Sequence, residues 1–240
     1  LLILMFSITA ISAADLNDTD NKDILNDANT GNAFSDLDME IMDADSNITL
    51  DKDYKYDDTK DMYYFYGINV NTEDFVINGN NHVIDCNGKT KAFNIKVKNV
   101  EINNLIIKNG FSNGGSAISA TSKLTLNNVT FINCSGNGQN STTFGAIYSK
   151  GQLTVNNCKF FNTSGTEGAS ITSHNGNITV TNSTFISSSD KILKGHIYAY
   201  ESNLTIENSS FLNTTSKYAT AIFCEGKGDE RTYCSKFKNL

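Results

Sequence analysis

The residues of this chain that could do chemistry are its carboxylates, histidines and aromatics, and their spacing decides which chemistry. Between residues 100 and 224 the acids are Glu101, Glu167, Asp190, Glu201 and Glu207, with Glu225 just beyond, and the sole Arg is Arg231. A calcium-assisted lyase needs clustered carboxylates beside an Arg or Lys base, and a glycoside hydrolase needs two or three carboxylates within several ångströms. These acids follow no common spacing, so neither set is legible. Asp57 and Asp58 form a pair, but in a charged segment upstream. His82, His174 and His196 sit at unrelated places, which gives no metal-ligand pattern. The expectation is a protein without a catalytic centre, metal or cofactor.

The five Cys are Cys86, Cys134, Cys158, Cys224 and Cys234, an odd count without metal spacing that argues against a disulfide framework. Cys224 with Cys234 reads as a possible loop clip, and the others as small buried hydrophobes.

What would position any site is a repeat. "LTVNNCKFFNTS" from Leu153 is restated as "LTLNNVTFINCS" from Leu124, "ITVTNSTFISSS" from Ile178 and "LTIENSSFLNTT" from Leu204. Further copies start at Val100 and Phe75, so successive starts are 24 to 29 residues apart. A period of that size means stacked supersecondary units. Within a unit the alternation has period 2: offsets 0 and 2 are apolar and offset 1 is mostly Thr, as in a half-buried strand. Offset 4 is Asn104, Asn128, Asn157, Asn182 and Asn208; Asn tolerates left-handed backbone, so these predict a stacked ladder at one corner. Offset 7 is Phe131, Phe160, Phe185 and Phe211, an inward Phe stack. A third strand centres on Ile118, Ile147, Ile171, Ile197 and Ile222, flanked by small inward residues. Three strands per turn, each pairing with its equivalent in the next, make an all-β parallel β-helix of about six turns. The absence of Pro suits a fold in which nearly every backbone N–H is needed for a ladder.

Two surface stripes follow from the alternation. The third strand presents Ser119, Tyr148, Thr172, Tyr198 and Phe223 outward, and Tyr148, Thr172, Tyr198 and Phe223 form a candidate glycan-contact strip. Offset 8 is Ile132, Phe161, Ile186 and Leu212, an apolar outward row expected to lie under the loop that follows it. Of the N-glycosylation sequons, Asn128, Asn182 and Asn208 fall in the corner ladder and are expected to be buried and unmodified. Asn47, Asn177 and Asn203, just before strands, and Asn140 in the longest loop are the expected acceptors.

At 240 residues the chain can hold one good-sized domain. Residues 1–14, "LLILMFSITAISAA", read as the end of a secretory signal peptide with cleavage after Ala14; a run this short does not span a bilayer. No transmembrane helix is expected in the mature chain. Residues 15–47 carry ten acids against Lys22 alone and are expected to be a disordered acidic leader. The rod is expected over 48–224, with 225–240 an irregular or truncated tail. No basic patch for nucleic acid exists.

"FVINGNNHVIDCNG", with the repeated "AIS" or "GAIYS", "LTVNN" and "F.N" elements behind a signal peptide, resembles the adhesin-like surface proteins of methanogenic archaea. More distantly it resembles the polymorphic outer-membrane proteins of bacteria, whose GGAI element is matched only partly by "GGSAIS" at 114–119 and "GAIYS" at 145–149, and whose Phe-to-Asn separation is one residue longer than that of Phe131 and Asn133. The resemblance covers residues 48–224 and implies a pectin-lyase-like right-handed parallel β-helix on a secreted or cell-surface protein that binds glycans or other cells. Two alternatives stay open: a pectate-lyase-like polysaccharide-degrading enzyme, and a purely structural envelope protein.

Overall fold

The computed structural model describes residues 32–136, 142–188, 194–214, 217, 221–226 and 234–238, with only the backbone of 187–188 and 234–238. Residues 1–14 with Ala14, the leader as far as residue 31, and Asn140 lie outside the described residues. The chain winds as a parallel β-solenoid with three strands per turn. One sheet has eight strands, from Asn47–Thr49 to Cys234–Lys238, and the other two have seven each. The second runs from Tyr54–Lys55 to Ser210–Leu212, and the third from Ile68–Val70 to Ile222–Glu225.

Equivalent residues lie side by side. Leu124, Leu153, Ile178 and Leu204 are register partners in the first sheet, and all four are buried. In the second sheet Phe131, Phe160, Phe185 and Phe211 stack with ring centroids 4.8, 4.7 and 4.6 Å apart and planes within 10°. In the third, Ile118, Ile147, Ile171, Ile197 and Ile222 align. The small residues beside that row keep turns close: a Cβ on Gly145 would run into the Ala169 carbonyl.

The corners belong to asparagine. Asn104, Asn128, Asn157, Asn182 and Asn208 have φ between 49° and 54°. Their amides link turns: Asn128 Nδ2 donates to Asn104 Oδ1 at 2.9 Å and Asn157 Nδ2 to Asn128 Oδ1 at 3.3 Å. A second corner repeats the device at Asn109, Asn133, Asn162 and Asn213, with φ of 50° to 56°. There Asn162 Nδ2 donates to Asn133 Oδ1 at 2.8 Å. The sequence carries this second ladder as the Asn of its "F.N" element.

Three expectations need correction. Asn128, Asn182 and Asn208 are exposed, not buried, because a left-handed corner turns its side chain outward; from there the Asn128 amide still reaches Asn104, and Asn182 Nδ2 donates to Asn156 Oδ1 at 3.2 Å. Asn47, Asn177 and Asn203 are equally exposed, so burial does not separate the two groups of sequons. The tail is not wholly irregular, since Cys234–Lys238 adds a parallel strand beside Asn203–Glu207 with a register shift. Cys224 is disulfide-bonded while Cys86, Cys134 and Cys158 are free and buried; the Cys234 side chain is outside what is described.

The third correction concerns residues 32–47, which are structured. A helix spans Phe34–Asp43 and buries Phe34, Leu37 and Ile41 against the first turn of the rod. That i, i+3, i+7 spacing was present under the charge run. Ala33 has no side-chain acceptor with which to cap the helix. Asp61 does so from across the chain, fully buried and accepting from Phe34 N and Ser35 N at 2.9 Å each. Asp36 closes the reciprocal bond to Ala33 N at 2.8 Å. The helix acids also tie it down: Glu40 accepts from Tyr54 Oη at 2.6 Å and Asp38 from Tyr64 Oη at 2.8 Å. The offset-8 row is covered only in part: Ile132 is buried, Phe161 and Ile186 are half-buried and Leu212 is exposed, while one turn before Ile132 the row continues as buried Lys108, paired with Asp85 at 3.4 Å.

His196 is fully buried near the Phe185 and Phe211 rings, with Nδ1 2.7 Å from Ser170 Oγ and no partner for Nε2. Burial pushes its pKa down from 6.5 to about 4.

Two stability tests follow from these contacts. Asn157→Ala loses an amide rung and keeps a β-carbon at φ 53° without the short polar side chain that makes this conformation tolerable for asparagine, for a loss of about 2 kcal/mol, whereas Asn157→Gly has no β-carbon to strain and loses about 1. Urea midpoints that are equal for the two variants would show that φ is not the constraint. His196 is protonated in the unfolded chain below pH 6.5 but resists protonation in the fold down to about 4. Stability present above pH 6.5 is therefore lost as the pH falls, by about 2–3 kcal/mol between pH 7.5 and 4.5. Denaturation at those two pH values should show that much less pH dependence in His196→Gln.

Candidate functional site

The third sheet places Tyr148, Thr172, Tyr198 and Phe223 in one outward row, each a register partner of the next. The row is not an open strip. Thr172 is fully buried because its hydroxyl donates to the Glu167 carbonyl, and Tyr198 is only 2 % exposed. Tyr148 and Phe223 stay half-buried. The loop preceding each strand folds back over the sheet and brings Phe144, Glu167 and Lys194 onto the outward residues.

The result is an aromatic and ionic cluster. Phe144 stacks on Tyr148 with centroids 4.3 Å apart. His174, one alternation beyond Thr172, stands edge-on to Phe144 and Tyr148 at 5.3 and 5.4 Å, and it approaches Tyr198 and Tyr200 at 6.0 and 5.4 Å. Lys194 Nζ lies 4.1 Å from the Tyr198 ring centre and bridges Glu167 Oε1 at 3.2 Å and Glu225 Oε2 at 3.0 Å. Tyr198 Oη donates to the same Glu225 oxygen at 2.8 Å.

These contacts set the charge states. Burial disfavours the charge on Lys194, yet Tyr198, Glu225 and Glu167 together hold its pKa above the usual lysine value. The Tyr198 bond, followed by Lys194, holds Glu225 below the ordinary carboxylate range. Burial pushes His174 down despite Glu167, whose Oε2 is 3.6 Å from Nε2, so the neutral imidazole is favoured at neutral pH. The site therefore carries two carboxylates and one ammonium among five aromatic rings.

Sequence reasoning reached the aromatic row but missed Phe144, Glu167, His174, Lys194, Tyr200 and Glu225 as a group. His174, Tyr200 and Glu225 were within reach, being two residues beyond Thr172, Tyr198 and Phe223 and therefore on the same outward face. Glu167 and Lys194 come from loops of unequal length, which no offset predicts. Among the described residues no group of His, Cys, Asp and Glu could hold a metal ion, and no helix is long and apolar enough to cross a membrane. No family model, curated protein or solved structure matches the chain.

In Tyr198→Phe, Glu225 loses its first partner, and its pKa should rise toward 4.5. Carboxyl-detected NMR titration of the two proteins measures this, and an unchanged Glu225 midpoint would leave Lys194 as the dominant cause.

Proposed function

We propose that this chain is a secreted or cell-surface, adhesin-like β-helix whose rod presents a contact for glycans or other cells. The observation that supports it is the third-sheet cluster, where the half-buried rings of Phe144, Tyr148 and Phe223 lie beside Glu167, Lys194 and Glu225. Flat apolar rings can pack on the C–H face of a sugar, while carboxylates accept bonds from its hydroxyls and an ammonium donates to them. A rigid solenoid suits the role, since it carries such a face away from an anchoring surface without flexing. The resemblance to archaeal surface proteins in the "AIS", "LTVNN" and "F.N" elements points the same way.

A polysaccharide-degrading enzyme is the second reading, favoured by the two carboxylates that Lys194 brings together. A glycan array probed with the full chain and with Tyr148→Ala/Phe223→Ala tests the first. Binding that drops at least tenfold in the double variant is the expected result. Binding to no glycan would point to a structural envelope role. Release of shortened or unsaturated sugars from bound polysaccharide, lost in Glu167→Gln, would establish the enzyme instead.

A further inference from the structure

Among the described residues, the large apolar side chains on the surface are gathered at one end. Apart from Phe111 and Leu212, every strongly exposed one of these belongs to the cap helix or to the segment Met62–Tyr66. Tyr63 is 82 % exposed, Met42 72 % and Tyr66 66 %, with Met39, Met62 and Phe65 all more than half exposed. The two segments make one surface. Asp61 caps the helix from the start of the loop, and Tyr64 Oη reaches Asp38 at 2.8 Å. Met42 is one helical turn beyond Asp38 and therefore lies on the side of the helix that meets the loop, with Met39 adjoining. Phe65 and Tyr66 pack together at 4.4 Å.

Among the described residues nothing packs over this patch, and the apolar side of the helix is already buried through Phe34, Leu37 and Ile41. Tyr, Phe and Met are the side chains enriched at the cores of protein interfaces, and methionine adapts to varied apolar partners. Contiguous exposed apolar surface of this kind marks an interaction site. The charge around it selects the partner. Of the eight carboxylates in residues 34–45 and 57–66, Asp61 is buried under the helix start, Glu40 is paired with Lys52 at 2.8 Å and Asp58 with Lys89 at 3.2 Å. Asp36, Asp38, Asp43, Asp45 and Asp57 remain against Lys60, and Asp43 and Asp45 beside Met42 are exposed. A second copy docking through the same patch would set acids against acids, and an anionic lipid surface would be repelled likewise. The chain's own residues 15–31 carry five Asp against Lys22, so they are poorly matched too.

We infer that the helix-capped end of the rod is a docking surface for a basic, amphipathic protein segment, which lays its apolar face on Met42, Tyr63 and Tyr66 and its Lys or Arg rim against the surrounding carboxylates. This surface is separate from the third-sheet cluster and does not depend on the glycan reading. The mode is that of an amphipathic helix seated on a methionine-rich and aromatic platform with charge complementarity at the rim.

The test measures fluorescence anisotropy of a labelled 18-residue Leu/Lys amphipathic helix, and of its Leu/Glu twin, against the full chain. The Lys peptide should bind, more weakly as salt rises, and the Glu peptide should bind at least tenfold more weakly. Met42→Ser/Tyr63→Ser/Tyr66→Ser, all exposed and so expected to leave the fold's circular dichroism unchanged, should weaken the Lys peptide at least tenfold. Asp43→Asn/Asp45→Asn should weaken it several-fold and flatten the salt dependence. Binding that survives the triple substitution, or equal binding of both peptides, overturns the inference. So does self-association abolished by the triple variant in sedimentation runs, which would make a second copy the occupant, or binding to phosphatidylcholine vesicles, which would make it a lipid surface.

Discussion

Everything in this molecule depends on one constraint: each strand hydrogen-bonds to its equivalent one turn away, in parallel and nearly in register. The spacing is then about 4.8 Å, the ladder distance, and every side chain meets the same offset of the next turn. That is why Phe131, Phe160, Phe185 and Phe211 stack with nearly parallel planes, and why Leu124, Leu153, Ile178 and Leu204 form one core row. A residue chosen at one offset is chosen against its own copies. The corners obey the same rule with a backbone demand added. Fourteen of the sixteen non-glycine residues with positive φ among the described residues are asparagine. Asparagine accepts that conformation at less cost than most residues, and its amide replaces part of the ladder at the bend.

A stack of this kind has ends, and an uncovered end exposes both core and strand edges. At the N-terminal end the helix Phe34–Asp43 covers the first turn. The acids that look like a solvating run are in part its fastenings. Asp61 and Asp36 satisfy its first backbone amides, and Asp38 and Glu40 take hydroxyl bonds from Tyr64 and Tyr54. A carboxylate near a helix N-terminus also meets the favourable end of its dipole. The other side of the same helix, with Met39 and Met42, contributes to the largest gathering of exposed apolar side chains among the described residues.

Individuality enters where turns differ. The third-sheet cluster draws on Phe144, Glu167 and Lys194, which stand in loops before successive strands, and on His174 and Glu225, which share one outward register row with Tyr200 between them. Repetition builds the platform, while unrepeated residues give it charge and shape. The buried His196 is another departure, an imidazole among Phe rings with one nitrogen unpartnered.

The sequence alone determined the solenoid, its three strands per turn, the inward Phe and Ile rows and the first asparagine corner, because those depend on neighbours one period away and a fixed period makes them local. It also held the second corner in its "F.N" element and the cap helix in Phe34, Leu37 and Ile41, although charge density hid the latter. Only the tertiary structure decided what the loops do. Whether Thr172 and Tyr198 face solvent depends on how the segments carrying Glu167 and Lys194 fold back over the sheet. The meeting of Asp61 with the helix start spans 27 residues. Neither follows from a period, because loops of unequal length carry no register; their side chains find partners only once the rod exists to receive them.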